Sequence, residues 1–159
     1  MPVRKTVLPR RVRDAIEQAA VRYLAARDRT EAQMKAYLTR AGAPPARIRE
    51  LLDHFRTRGY INDRAYALRW AQDRLARRPM GSARLEAELE AKGFVRATVA
   101  EALAQVYEGR APREWAARLL RQRERMGRRL TSVRKAGLLR QHGFDEDVIE
   151  ELVGMGEDR

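Results

Sequence analysis

The sequence predicts an all-α fold: an elongated, curved solenoid of three tandem three-helix repeats. Three observations lead there. A short pattern recurs with a period of about 50 residues, the signature of stacked units rather than one compact core. Its copies are Leu38-Gly42-Ile48-Glu50-Leu52, Leu89-Gly93-Val99-Glu101-Leu103 and Leu139-Gly143-Ile149-Glu151-Val153. No stretch alternates as a strand does, and apolar residues fall at helical spacing throughout. Charged residues make up 35% of the chain beside 44% hydrophobic, which suits slender helices with wide solvated faces.

The elements follow in order. Residues 1–11 form a basic tail that is predicted to be disordered, and the three units span 12–58, 63–108 and 112–155. The first helix of each unit carries Ala, any residue, Arg and a large apolar residue: Ala20 to Tyr23, Ala67 to Trp70 and Ala116 to Leu119. The second starts at a hydroxyl cap, with Thr30, Ser82 and Ser132 as candidates, and Thr30 with Gln33 fits a capping box. It closes at Gly42, Gly93 or Gly143, where a left-handed residue without a Cβ is expected. Phe94 and Phe144, just beyond, are placed to pack back on the helix that has ended. The third helix sets an aliphatic pair four residues apart on one face. Between elements fall Pro44-Pro45, the run Gly59 to Asp63, Pro79-Met80-Gly81, and Gly109 with Pro112.

The net charge is +12, and of 34 basic residues only Lys5, Lys35, Lys92 and Lys135 are lysine. The bland reading of the ratio of Arg to Lys is codon usage in a GC-rich genome, but that does not explain the excess charge, which points to a polyanion such as nucleic acid. The charge is uneven. Residues 110–140 hold eleven basic residues against Glu114 and Glu124, and residues 145–159 hold seven acids against Arg159. There is no cysteine, which excludes disulfides and thiolate metal sites. The first eleven residues lack the apolar run of a signal peptide, and no stretch approaches membrane-spanning length, so a cytoplasmic location is expected.

Four segments carry a family resemblance. Tyr23-Leu24-Ala25-Ala26-Arg27-Asp28-Arg29-Thr30 resembles the early LxxRxRS element of the RecX family of recombinase regulators. The run from Gly59 to Ala67 (GYINDRAYA) resembles its GYLDDxRFA element, and the run from Arg84 to Phe94 (RLEAELEAKGF) its RLxxELxxKG element. The run from Leu138 to Phe144 (LLRQHGF) resembles its late LxRRGF element. The departures are Tyr66 for the usual Phe, Asn62 for the first Asp, and Met80-Gly81-Ser82 for a Gly-Pro pair. The resemblance covers about residues 12–154. It implies three tandem three-helix repeats and a protein without catalytic activity or cofactor. The implied partners are the RecA recombinase filament and its single-stranded DNA, with duplex DNA as a further one. It further implies lodging in the filament's helical groove and inhibition of ATPase, coprotease and strand-exchange activities.

The candidate contacts to DNA or filament are two arginine clusters. On the helix around 113–128, Trp115, Ala116, Leu119 and Leu120 fall on one side, and Arg118, Arg121, Arg125 and Arg128 on the other, followed by Arg129. Guanidinium groups match phosphate oxygens bidentately, and the bland alternative is a solvated face. Arg123 falls toward the apolar side, as a snorkelling side chain would. The second cluster is Arg74, Arg77, Arg78 and Arg84 around the Pro79 turn. The N-terminal Arg4, Lys5, Arg10, Arg11 and Arg13 suit either a DNA-binding arm or a solubilising tail.

Tyr23, Tyr66, Trp70 and Trp115 recur on first helices, which favours core over base stacking. Glu50, Glu101 and Glu151 suit surface or inter-repeat ion pairs. His54 and His142 show no ligand spacing, and His142 sits where a cation suits a helix C-terminus. No phosphate loop, nucleophile elbow or metal cluster is present in the sequence. The expected protein is a monomeric, non-enzymatic regulator without metal or cofactor. The alternative is a stand-alone, sequence-independent nucleic-acid binder.

Overall fold

The computed structural model describes residues 10–127 and 129–154. Among these are nine α-helices and no strand: α1 (Arg10–Ala26), α2 (Glu31–Arg40), α3 (Pro45–Thr57), α4 (Asp63–Arg77), α5 (Ser82–Ala91), α6 (Arg96–Gly109), α7 (Pro112–Arg125), α8 (Ser132–Gln141) and α9 (Glu146–Gly154). The fold is an all-α helical repeat. Helix α1 takes in Arg10 and Arg11, which the sequence assigned to the basic tail, and residues 1–9 lie outside the described residues. The chain divides into two compact units, 1–66 and 67–159, with the division inside α4.

The repeat glycines end helices as expected. Gly42, Gly93 and Gly143 have φ of 84°, 99° and 80°. Around each, the amide two residues past the cap returns to the third-last helical carbonyl: Ala43 to Leu38, Phe94 to Leu89 and Phe144 to Leu139. This is the Schellman turn. Phe94 and Phe144 are buried beside it.

In the first unit the apolar faces of α1, α2 and α3 converge on one core of Ile16, Ala20, Met34, Leu38, Ile48, Leu51, Leu52, Phe55 and Ile61. Tyr23 is only half-buried: its ring stacks on Tyr37 at 4.2 Å between centroids, and the Arg29 guanidinium lies 3.8 Å above it. Thr30 caps α2 through the expected box: its Oγ1 accepts from the Gln33 amide at 3.0 Å, and Gln33 Oε1 accepts from the Thr30 amide at 2.9 Å. Asp63 Oδ1 accepts the Glu31 amide at 3.0 Å, tying the start of α4 to the first turn of α2.

In the second unit the expected caps Ser82 and Ser132 each prove to be the first helical residue. Thr131 caps α8, accepting from the Arg134 amide at 3.4 Å. Gly81 stands at the N-cap of α5 without a side chain. The reason is tertiary. The Gly81 amide donates to the His142 carbonyl at 2.9 Å, and a Cβ on Gly81 would lie 2.0 Å from the Gly143 oxygen. Pro79, Met80 and Gly81, a turn by its sequence, are all buried. The Tyr107 hydroxyl, kept protonated because burial raises its pKa, donates to the Met80 carbonyl at 2.9 Å. The start of α5 is thus pinned against the turn between α8 and α9.

Candidate nucleic-acid interface

The arginines that the sequence grouped together behave differently in the fold. Arg74 is tied down: its Nε and Nη2 donate to the two oxygens of Glu88 at 2.6 and 3.0 Å. That bond holds the Glu88 carboxyl below its usual range and raises Arg74 further. Arg84 reaches the same carboxylate at 3.4 Å. Arg118 is also engaged. Its guanidinium lies over the Trp115 ring at 5.5 Å, and its Nη2 is 3.5 Å from the Ala76 carbonyl. Trp115, Ala116, Leu119 and Leu120 are buried as the helical face required. Arg121 and Arg129 are exposed, and Arg128 lies outside the described residues.

What the fold assembles is a cleft. Arg77 and Arg78 at the end of α4 and Arg84 on α5 face Arg123 and Arg125 on α7 across an open concavity of about 730 Å³. Pro79, Leu119 and Met126 give it apolar surface, and Gln122, Gln141 and His142 give it polar groups. Arg77, Arg78 and Arg84 of one predicted cluster thus meet Arg125 of the other, some forty positions away in sequence, whereas Arg74, Arg118, Arg121 and Arg129 do not line the cleft. Arg77, Arg78, Arg123 and Arg125 have no acidic partner within 4.0 Å among the described residues. Arg123, which the sequence placed toward the apolar side and outside both clusters, is exposed and lines the cleft.

His142 corrects the sequence reading. It does not sit as a cation at the C-terminus of α8. It is 7% exposed, and its Nδ1 donates to the Leu138 carbonyl at 2.9 Å. Burial lowers its pKa first, and Arg84, Arg123 and Arg78 lower it further. The local sequence offered no sign of this, because every charge acting on His142 comes from another element.

The recurring glutamates have separate partners. Glu50 pairs with Arg47 on its own helix at 3.1 Å, and Glu151 with Arg113 on α7 at 2.9 Å. The acidic C-terminal segment likewise begins with a pairing, Glu146 binding Arg140 through two hydrogen bonds. Among the described residues no group of acids or histidines is placed to hold a metal ion. No described helix is long and apolar enough to cross a membrane.

This architecture is shared with known proteins. Residues 18–55 match the model of the first three-helix domain of RecX, and residues 62–103 that of the second. A regulatory protein RecX from Streptomyces coelicolor is 31% identical over 147 residues, covering 89% of this chain and 78% of its own. The chain belongs to the RecX family. A RecX from Mycobacterium avium is 32% identical over 139 residues, covering 84% of this chain and 79% of its own. The crystal structure of RecX from Lactobacillus salivarius superposes with a TM-score of 0.79 at 19% identity, covering 91% of this chain and 96% of that one. The RecX fold is therefore kept at low identity, and the protein is a member of a family of regulatory proteins.

Proposed function

We propose that this RecX-family chain is a negative regulator of RecA-type recombinase. In this reading it binds the RecA filament on single-stranded DNA, lodges in the filament's helical groove, and inhibits ATPase, coprotease and strand exchange. It acts in the cytoplasm, as a monomer, by occupancy rather than by catalysis. Beside family membership, the observation that carries the reading is the cleft where Arg77, Arg78, Arg84, Arg123 and Arg125 converge. All of these but Arg84 have no acidic partner among the described residues, and guanidinium groups match phosphate oxygens. The cleft would hold the DNA strand while other faces of the chain contact recombinase protomers. ATP turnover in the filament requires protomers to move, and a body bridging strand and protomer opposes that motion.

The test adds the protein to RecA filaments and, separately, to bare single-stranded DNA. Inhibition of DNA-dependent ATP hydrolysis is expected below the concentration that saturates bare DNA. Unchanged hydrolysis at DNA-saturating concentrations would leave the alternative, a sequence-independent nucleic-acid binder that works without the recombinase.

A further inference from the structure

We propose that the cleft binds a stretch of single-stranded nucleic acid by its phosphates, and that His142 takes up a proton when they enter. This rests on the polynucleotide half of the reading above and is independent of the recombinase half.

The cleft has the lining that a nucleotide unit needs. Its volume of about 730 Å³ lies within the roughly 300–1,000 Å³ of small-ligand sites. Four arginines without acidic partners among the described residues and a fifth shared with Glu88 provide phosphate contacts. Met126, 79% exposed, offers a soft apolar surface for the face of a base. The amides of Gln122 and Gln141 can both donate to and accept from a base edge. A polyacidic chain such as polyglutamate would use the arginines but has no flat apolar face for Met126, so the lining favours nucleic acid.

The proton uptake follows from what surrounds His142. The charges that act on its ring are Arg84 from α5, Arg123 from α7 and Arg78 from the link after α4, all cationic. On its own helix, Arg140 is neutralised by Glu146. Held neutral by burial and by those arginines, the ring loses the second constraint when phosphates neutralise them. The phosphates then favour the imidazolium directly. The α8 C-terminus, whose Leu138 carbonyl already accepts from Nδ1, also favours the cation.

The sign of the linkage is fixed. If the bound state has the higher histidine pKa, it binds more protons, so affinity rises as pH falls. The slope reaches at most about tenfold per pH unit, between the free and bound pKa values. The experiment follows anisotropy of a labelled oligothymidylate, without recombinase, from about pH 8 to about pH 5. It also follows the imidazole NMR signals of the wild-type protein with and without the oligonucleotide. The exposed His54, the only other histidine, serves as internal reference.

The expected result is an upward shift of the His142 titration on binding, larger than that of His54. In H142Q the pH dependence of affinity should flatten. The pair R78E and R123E should cost roughly tenfold or more in affinity and reduce its salt dependence. Binding with no preferential His142 shift overturns the proposal, as does unchanged affinity in the two arginine variants. An equal His142 shift and equal affinity with polyglutamate overturn the choice of nucleic acid. Failure of recombinase inhibition, by contrast, leaves these results standing.

Discussion

At the residue scale, Gly143 carries two constraints where Gly42 carries one. Both have positive φ, but a Cβ at Gly42 would enter open space, whereas at Gly143 it would lie 2.6 Å from Arg84 Cβ and 2.7 Å from the Arg84 amide nitrogen. Gly42→Ala should therefore cost only the left-handed penalty, about 1–2 kcal/mol. Gly143→Ala must also push α5 away and should cost about 3–4 kcal/mol. Trp70 and Trp115, the only tryptophans, both lie in the second unit. Their fluorescence in a urea titration reports the Gly143 effect, and hydrogen exchange of the α2 amides reports that of Gly42. Nothing in the repeat pattern distinguishes the two glycines. The difference comes from Gly81 and Arg84, sixty positions from Gly143 in sequence and touching it in the fold.

At the element scale, helix ends and ion pairs set what each helix contributes. Thr30 is fully buried and closes both bonds of its capping box. Thr30→Ala should cost about 1–2 kcal/mol, read as faster exchange of the first-turn amides of α2. Glu88 holds Arg74 on α4 and also meets Arg84 within α5. Glu88→Gln should cost about 1 kcal/mol after discounting for partial exposure. The sign of its pH dependence follows from the lowered pKa. The contribution is complete above the pKa of the unfolded carboxylate and is lost as pH falls through the depressed folded value, below the ordinary 4.5. Thermal melts of wild type and E88Q should converge on that acid side.

At the scale of the whole molecule, net charge of +12 matters less than where charge is left unpaired. Counterion release predicts a log–log salt slope of about −0.7 per phosphate contacted on single strands. Reversing Arg77 or Arg125, which line the cleft without acidic partners among the described residues, should lower both affinity and the magnitude of that slope. Reversing Arg74, whose charge is spent on Glu88, should change stability more than the slope. Titrations of bare single-stranded DNA at several salt concentrations separate the two. Helix positions, left-handed glycines and buried first-helix alanines were legible in the sequence because each obeys interactions within a few residues. The cleft was half legible: Arg77, Arg78, Arg84 and Arg125 could be named, but not their meeting nor the part of Arg123. Arg74 and Arg118 were grouped with the candidate contacts because Glu88 and the Ala76 carbonyl become their partners only through packing.

The sequence by itself determined the all-α repeat, its Schellman turns, the capping box at Thr30 and the family to which the chain belongs. These rest on hydrogen bonds and steric limits that span a single turn of helix or on motifs read in order. Only the tertiary structure decided which arginines remain without acidic partners, why Gly81 rather than Ser82 stands at the head of α5, and why His142 is neutral. Each of those depends on groups more than a dozen residues apart brought within a few ångströms. There, burial and neighbouring charge outweigh any local preference.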